Sequence, residues 1–292
     1  MKSLLVIYHP QLLISDKVMM ELTQKAEKMG FNPQTALLDK NIIEQALLSL
    51  HEELSAVVIA GGDGSLNCVI NILLNLNITS IPLAVVPWGT TNDFADQIYK
   101  STFRLEKLLR AIKRENTVPV DIGQVNNRFF INVAGAGLFV DVAHKTSDTL
   151  KQRLGRMAYY LEGARSFFPM LKPFTVQVEN STYRDELELL LFLVLNTKRA
   201  GGLRKLAPHA SLNDGKLDLL LIRYTNLAGI LTLVPRMIRG LHLDDSRVTY
   251  FQTEDLSIYG PVELATDLDG EPGPPFPLHF KVLPQKMRFF TF

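Results

Sequence analysis

The fold of the first half of the chain is decided by the stretch Val57-Val58-Ile59-Ala60-Gly61-Gly62-Asp63-Gly64-Ser65-Leu66-Asn67. Its apolar residues predict a buried strand, the glycines predict a tight turn, and the residues after them predict the start of a helix. Glycines let backbone N–H groups approach an anion closely, and a helix N-terminus adds a favourable partial charge. We therefore expect this turn to bind phosphate. The alternative is a plain strand-to-helix turn in which Ser65 serves only as the cap.

A second turn of the same kind follows in Val85-Val86-Pro87-Trp88-Gly89-Thr90-Thr91-Asn92-Asp93-Phe94-Ala95. Thr90 can donate a hydrogen bond to a phosphate, and Asp93 can bind Mg²⁺ directly or through water. Alone, this segment is equally compatible with a capped turn. Both turns follow strands, and ligands of parallel sheets bind at the carboxyl ends of the strands. We therefore expect the two turns to face one pocket.

Around these turns, short apolar runs alternate with helix-like stretches, which is typical of βα units on a mostly parallel sheet. The predicted strands cover residues 4–8, 56–60 and 83–86, and the predicted helices cover residues 16–29, 66–76 and 105–114. From about Asp121 onward the pattern is mainly β, with strands over residues 128–133, 174–179, 187–196, 216–223 and 255–259. Helical interruptions are predicted near residues 155–168 and 227–241. We predict an α/β domain over residues 1–122 and a β-rich domain over residues 123–292, whose last residues can pack back on the first domain.

Composition narrows the classes of protein and partner. The 292 residues are 47% hydrophobic, and their 31 basic and 30 acidic side chains give a net charge of +1. That balance predicts neither a nucleic-acid partner nor general adhesion to anionic lipid. The single cysteine, Cys68, excludes an internal disulfide framework and favours the cytoplasm. No apolar run is long enough to span a bilayer.

Together the two turns resemble the catalytic domain of the diacylglycerol kinase and sphingosine kinase superfamily, in its short bacterial lipid kinase form. The resemblance covers nearly the whole chain. The further segments that carry it are Val120-Asp121-Ile122-Gly123, Phe129-Phe130-Ile131-Asn132, Lys151 to Tyr159, Asn196 to Pro208, Asn213-Asp214-Gly215-Lys216-Leu217-Asp218 and Asp269-Gly270-Glu271.

This resemblance implies an N-terminal domain related to those of phosphofructokinase and NAD kinase, and a C-terminal β-sandwich domain. It implies ATP as co-substrate and Mg²⁺ as cofactor. The implied nucleotide contacts are Gly61, Gly62, Asp63, Gly64, Ser65, Leu66, Asn67, Gly89, Thr90, Asn92 and Asp93. The implied carboxylate and water network around the nucleotide Mg²⁺ consists of Asp63, Asp93 and Asp121.

Two more sites follow from the resemblance. In the turn Asp269-Gly270-Glu271 it implies the catalytic base, with Glu271 as our choice and Asp269 as close support or as the base itself. A solvated acidic turn is the alternative. In the second, Asp214 and the backbone carbonyls of Ser211 and Lys216 would hold a structural Mg²⁺. A plain Asn-Asp-Gly hairpin turn explains those residues almost as well.

The chain also departs from the family pattern. After the first strand, His9-Pro10-Gln11-Leu12-Leu13 lacks a hydroxyl and a glycine that would help to hold the nucleotide, and Cys68 replaces a common glutamate. The helix predicted over residues 227–241 carries Arg236 and Arg239. It could lie at an anionic membrane surface or pack on the core with solvated arginines.

The sequence thus predicts an ATP- and Mg²⁺-dependent lipid kinase, an enzyme that transfers the γ-phosphoryl group to a lipid hydroxyl. Diacylglycerol is the leading acceptor. The alternatives are a small-molecule kinase like NAD kinase, and a nucleotide-binding regulator with weak catalysis, which the altered first loop would suit. We expect the lipid to be met at the membrane surface by peripheral association. The sequence is compatible with a homodimer.

Overall fold

The structure is a computed structural model that describes residues 2–9, 16–99, 101–137 and 172–292. The chain divides into two compact units, the first made of Met1–Ile122 with Pro284–Phe292 and the second of Gly123–Leu283. Two strands, β5 (Thr117–Val125) and β15 (Leu278–Phe290), each contribute residues to both units. The last residues of the chain therefore belong to the first unit.

The first unit is built on a parallel sheet with the strand order β2-β1-β3-β4-β15. Its other strands are β1 (Lys2–Tyr8), β2 (Phe31–Leu37), β3 (Leu54–Gly61) and β4 (Leu83–Pro87). Its helices are α1 (Asp16–Lys28), α2 (Lys40–Leu50), α3 (Asp63–Asn75), α4 (Asp93–Ile98) and α5 (Leu105–Lys113). A parallel sheet of this kind brings the carboxyl ends of its strands to one edge.

Sequence patterns explain most of these elements. The central strands β1, β3 and β4 are buried along most of their length, so they consist of continuous apolar runs. β2 lies at the edge of the sheet and contains Pro33, which an edge strand tolerates because one of its sides needs no hydrogen-bond donor. The sequence did not predict β2 or α2, because β2 lacks both an apolar run and a clean alternation.

The second unit is an antiparallel β structure in which β14-β13-β7-β9-β8-β12-β15 is the main path, and β10 joins β9 and β11. Its remaining strands are β6 (Arg128–Phe130), β7 (Val133–Gly137), β8 (Phe174–Glu179), β9 (Arg184–Leu195), β10 (Leu217–Arg223), β11 (Val248–Thr253), β12 (Asp255–Tyr259), β13 (Thr266–Leu268) and β14 (Glu271–Pro272). A helix, α6 (Leu227–Arg239), follows β10.

β9 is the central strand of this unit because it contributes to two apolar clusters. Leu187, Leu189, Phe192 and Val194 belong to one cluster, and Leu191, Leu193 and Leu195 belong to the other. The alternation changes phase between Leu189 and Leu191, where the pairing with β10 shifts register. A β-bulge has this effect, since one extra residue moves the following side chains to the opposite face.

Candidate active site

The first glycine turn connects β3 to α3. Gly62 is the N-cap residue of α3, and the first helical hydrogen bond runs from the N–H of Leu66 to the carbonyl oxygen of Gly62 at 3.1 Å. The N–H groups between them have no carbonyl partner within the helix, as at every helix start. Gly64 is exposed, and a methyl group built on it would meet nothing within 4 Å. The turn therefore leaves space for an anion beside backbone donors.

The predicted contacts Ser65, Leu66 and Asn67 have buried side chains. A methyl group on Gly61 would lie 2.4 Å from Oγ of Ser65, so this hydroxyl packs directly under the turn. The alternative in which Ser65 caps the helix is wrong in this detail, because Gly62 holds the N-cap position without a side-chain hydrogen bond. Since these side chains are buried, the turn offers an anion mainly its backbone N–H groups.

The second turn lies directly against the first. The N–H of Trp88 donates to the carbonyl oxygen of Gly61 at 3.0 Å. A methyl group on Gly89 would lie 2.6 Å from the Cα of Gly62, so the two backbones meet where neither residue has a side chain. Asn92, in the left-handed region at φ 51°, accepts from the N–H of Gly89 at 2.8 Å and donates to its carbonyl at 2.7 Å. Thr90 is exposed beside them.

Asp63 joins the two turns through its carboxylate. Its oxygens accept hydrogen bonds from the N–H groups of Asp93 at 2.9 Å and Phe94 at 3.1 Å, which are the first residues of α4. The hydroxyl of Thr91 adds a longer contact of 3.4 Å. The first residue of α3 thus caps α4. The structure therefore brings the predicted nucleotide-contact residues of both turns together.

The other two carboxylates of the predicted Mg²⁺ network are buried. Asp93 is the first residue of α4, and Asp121 lies on β5 and is fully buried. One oxygen of Asp121 accepts the N–H of Gln285 at 2.6 Å. Within the described ranges, no group of three or more His, Cys, Asp or Glu side chains is placed to hold a metal ion. The three carboxylates therefore do not form a metal cage by themselves.

The carboxylate oxygens at the two turns nevertheless suit Mg²⁺ as ligands. This ion usually keeps several waters and binds one or two carboxylates together with substrate phosphate oxygens. The carboxylate of Asp63 is only half-buried and lies at the start of α3, where the backbone donors of the first turn are found. A metal held there by phosphate, water and one carboxylate needs no cage of three acids.

The two candidates for the predicted base lie in the second unit, Asp269 directly after β13 and Glu271 at the start of β14. Asp269, at φ 53°, accepts the N–H groups of Ile131 at 2.6 Å, Asn132 at 2.9 Å and Val133 at 2.8 Å. Its own N–H donates to the carbonyl of Val133 at 2.9 Å. Glu271, two residues on, is exposed at the start of β14. The Asp269 carboxylate is thus held by backbone hydrogen bonds, whereas the Glu271 residue is exposed to solvent.

The predicted structural Mg²⁺ site lies before β10. Asp214 accepts the N–H of Lys216 at 3.1 Å, and the hydroxyl of Ser211 donates to Oδ1 of Asn213 at 3.1 Å. These contacts are those of a tight polar turn. They are compatible with both the hairpin alternative and a cation bound by the Asp214 carboxylate and main-chain carbonyls.

A buried acid beside this turn had no role in the sequence analysis. Asp218 on β10 is fully buried and accepts hydrogen bonds from the hydroxyl of Tyr250 and from Nε2 of Gln252, the latter at 3.2 Å. The same amide lies 3.4 Å from the carboxylate of Asp214. Burial raises the pKa of the Asp218 carboxyl to about 6 against the opposing effect of these hydrogen bonds. The available signal was an acid inside the otherwise apolar run 217–222.

The helix predicted over residues 227–241 is α6. Its residues Ile230, Leu233, Val234 and Met237 are buried, and Leu233 and Met237 belong to the second cluster of β9. The helix therefore packs on the core, as one of the two alternatives predicted, although Arg236 is only partly exposed and lies 3.5 Å from Asp245. Among the described residues no helix is long and apolar enough to cross a membrane. Two segments named in the sequence analysis lie outside the described residues. They are residues 10–13 of the altered first loop and the predicted helix near residues 155–168, together with Lys151 to Tyr159.

Two family models together match nearly the entire chain. The diacylglycerol kinase catalytic domain matches residues 3–125, and the YegS C-terminal NAD kinase beta sandwich-like domain matches residues 132–291. A diacylglycerol kinase of Bacillus subtilis is 34% identical over 284 residues, which cover 96% of this chain and 93% of the relative. The chain belongs to the diacylglycerol kinase family. A diacylglycerol kinase of Staphylococcus carnosus is 31% identical over 98% of this chain and 94% of its own length.

Solved structures show the same fold as this diacylglycerol kinase family member. A diacylglycerol kinase from Bacillus anthracis superposes with a TM-score of 0.76 at 21% identity, over 99% of this chain and 96% of its own. Another chain from that organism has a TM-score of 0.81 at 23% identity, over 99% and 95%. The predicted α/β and β-sandwich fold is confirmed, as is the predicted class of enzyme, a lipid kinase with an alcohol group as acceptor.

Proposed function

We propose that this chain transfers the γ-phosphoryl group of ATP to the free hydroxyl of diacylglycerol and requires Mg²⁺. The observation that carries the proposal is the contact of the two glycine turns, in which the backbones of Gly62 and Gly89 meet beside an open helix start. Such a surface suits a polyphosphate chain, because its donors are backbone N–H groups that are already held in position. The names of the relatives support diacylglycerol as acceptor.

The chain's own residues would divide the work as follows. Backbone donors of residues 62–65 and the hydroxyl of Thr90 bind the phosphates. Asp63, with Asp93 through water, would hold Mg²⁺, whose positive charge would offset that of the phosphate oxygens. Catalysis of phosphoryl transfer consists mostly of positioning and charge stabilisation. A diacylglycerol acceptor lies in a bilayer, so the reaction would take place at a membrane surface.

The acceptor hydroxyl must lose its proton, and we assign that step to Glu271. The carboxylate of Glu271 is exposed, whereas Asp269 uses its oxygens for three backbone N–H groups. A base must come within hydrogen-bond reach of the substrate hydroxyl, which an exposed carboxylate can do. Asp269 is in our proposal a positioning residue that holds the turn before Glu271.

The proposal is tested by transfer of ³²P from labelled ATP, with Mg²⁺, to lipid alcohols in mixed micelles. The acceptor panel contains diacylglycerol, phosphatidylglycerol, a sphingoid base and an isoprenoid alcohol. We expect labelled phosphatidic acid from diacylglycerol, and loss of the product in Asp63→Ala. ATP bound tightly without transfer to any lipid would favour the regulator, and labelled NADP from NAD would favour the NAD kinase-like alternative.

Asp63→Ala also removes a helix cap, so it requires a matched control. Asp39→Ala is suitable, because Asp39 caps α2 with hydrogen bonds from the N–H groups of Asn41 at 2.9 Å and Ile42 at 3.1 Å. Loss of such a cap costs about 1 kcal/mol of stability. We expect both variants to lose similar stability and only Asp63→Ala to lose transfer. Equal loss of transfer in both would contradict a role for Asp63 in nucleotide binding.

A further inference from the structure

The two glycine turns have an aromatic neighbour without a role in the proposed reaction. Trp88 directly follows β4 and precedes Gly89, the residue whose backbone meets Gly62. Its side chain is 49% exposed, and it is the only tryptophan of the chain. Among the aromatic rings of the described residues, none packs against this indole. A single exposed apolar side chain is ordinary, so the position of Trp88 is what requires explanation.

The backbone of Trp88 is fixed relative to the phosphate turn. Its N–H donates to the carbonyl of Gly61 at 3.0 Å, and its Cα is about 3.8 Å along the chain from that of Gly89. The surrounding positions Gly89, Thr90 and Thr91 are exposed and carry small side chains or none. A broad aromatic surface therefore lies at the border of a group of anion donors.

We infer that Trp88 stacks on the purine base of the nucleotide whose phosphates the two turns hold. A nucleoside triphosphate combines an anionic chain with a flat aromatic base, which matches backbone donors placed beside an indole. Indole is the largest aromatic side chain, and stacking on a base is tolerant of base identity because every base has a π-face. Trp88 thus increases nucleotide affinity without strong selection between ATP and GTP. This inference rests on the proposed function, since it requires nucleotide at these turns.

The experiment uses the full chain and the fluorescence of its only tryptophan. MgATP, MgGTP and Mg-tripolyphosphate are titrated, with N-acetyltryptophanamide as the control for light absorbed by the nucleotides. We expect both nucleotides to quench the emission and tripolyphosphate, which has no base, to leave it nearly unchanged. Equal responses to tripolyphosphate and ATP would overturn the inference, because the indole would then respond only to filling of the phosphate turns.

Affinities are measured in parallel by calorimetry on three variants. Trp88→Ala is expected to raise the Kd for MgATP about tenfold, Trp88→Phe to raise it by less, and Kd for tripolyphosphate to stay within about twofold in both. Leu48→Ala is the matched control, because Leu48 is a 61% exposed apolar residue of the same unit. An unchanged Kd for MgATP in Trp88→Ala would overturn the stacking role while leaving the proposed function intact.

Two further outcomes would also overturn the inference. If the wild-type chain binds no nucleotide in the calorimeter, the proposed function fails together with it. If instead vesicles of phosphatidylglycerol and phosphatidylcholine shift the emission to the blue while MgATP does not change it, Trp88 contacts a membrane. In that case Trp88→Ala would weaken vesicle binding and leave the Kd for MgATP unchanged.

Discussion

At the scale of single residues, the acidic turn Asp269-Gly270-Glu271 contains two carboxylates to which we assign different tasks. The Asp269 carboxylate accepts hydrogen bonds from three backbone N–H groups. Hydrogen bonds to a charged group contribute about 1.5–3 kcal/mol each. The Glu271 side chain is exposed. The first arrangement stabilises a fold, whereas the second leaves a carboxylate available for chemistry.

Conservative amide substitutions should separate these tasks. Glu271→Gln is expected to lower kcat by about 10²–10⁴-fold while the melting temperature and the Kd for ATP stay near those of the wild type. Asp269→Asn places an NH₂ group against backbone N–H donors, so we expect a lower melting temperature. Steady-state kinetics, calorimetry and thermal unfolding measure these effects. A large loss of ATP affinity in Glu271→Gln would assign Glu271 to metal binding instead.

The contact between the glycine turns gives a second prediction at this scale. A methyl group on Gly89 would lie 2.6 Å from the Cα of Gly62 and 2.8 Å from Oδ1 of Asn92, so Gly89→Ala must push the two turns apart. We expect a loss of stability of about 1–3 kcal/mol and a strong loss of ATP binding. In Gly64→Ala, whose methyl group meets nothing within 4 Å, the stability should change little. Denaturant unfolding of both variants checks this, and equal stabilities would refute the close contact.

The sequence predicts those parts of this site whose residues lie close together along the chain. Both glycine turns were predicted because strand, turn and helix signals fall within about ten residues of each other. The hydrogen bond from Gln285 to Asp121 joins residues 164 apart, and that from Ile131 to Asp269 joins residues 138 apart. No local pattern encodes such contacts. The sequence could therefore name Asp121 and Asp269 but not their hydrogen-bond partners.

At the scale of elements, a partly exposed ion pair connects α6 to the segment before β11. The side chain of Asp245 is 8% exposed, and its carboxylate lies 2.6 Å from Nη2 of Arg247 and 3.5 Å from Nε of Arg236 on α6. Arg247 also donates to the carbonyl of Gly229 at 2.7 Å, near the start of α6. The hydrogen bond from Arg247 is the main cause that lowers the pKa of Asp245 from 3.8 to about 2.

This lowered pKa predicts a pH-dependent contribution to stability. An acid whose pKa is lower in the folded chain stabilises the fold above its unfolded value, and the contribution is lost as the pH falls from about 4 to about 2. Asp245→Asn should therefore cost on the order of 1–2 kcal/mol at pH 7 and progressively less below pH 4. Urea unfolding between pH 7 and pH 3 measures the difference. The neighbouring Asp244→Asn is the control, since Asp244 is exposed; an equal cost for both variants would contradict the role of the pair.

The elements themselves differ in how well the sequence predicts them. β3 and β4 were predicted closely because strands buried on both faces consist of unbroken apolar residues. β9 was also predicted, although its bulge was not, because a continuous apolar run does not reveal which face each side chain occupies. β2 was missed since its position at a sheet edge permits Pro33 and polar residues.

At the scale of the whole molecule, the chain leaves the first unit and returns to it at its end. Residues Pro284–Phe292 complete the first unit, and β15 pairs there with β4 through Phe289 and Leu83. Phe289 is 1% exposed, and its ring centroid lies 4.7 Å from that of Phe94 on α4. The N–H of Phe94 donates one of the two backbone hydrogen bonds that the carboxylate of Asp63 accepts. The end of the chain therefore supports the helix that carries Asp93.

This arrangement predicts that a substitution in β15 weakens the second glycine turn, although the two are about 200 residues apart along the chain. Phe289→Ala removes a buried ring, which costs about 3–5 kcal/mol, and should loosen α4 and the second glycine turn. Lys286→Ala is the control, because Lys286 is an exposed residue of the same strand. Urea unfolding followed by the fluorescence of Trp88 monitors the first unit specifically, since the second unit contains no tryptophan. We expect Phe289→Ala to lower both the midpoint and the ATP affinity; a lower midpoint with full affinity would show that the second turn holds its conformation without β15.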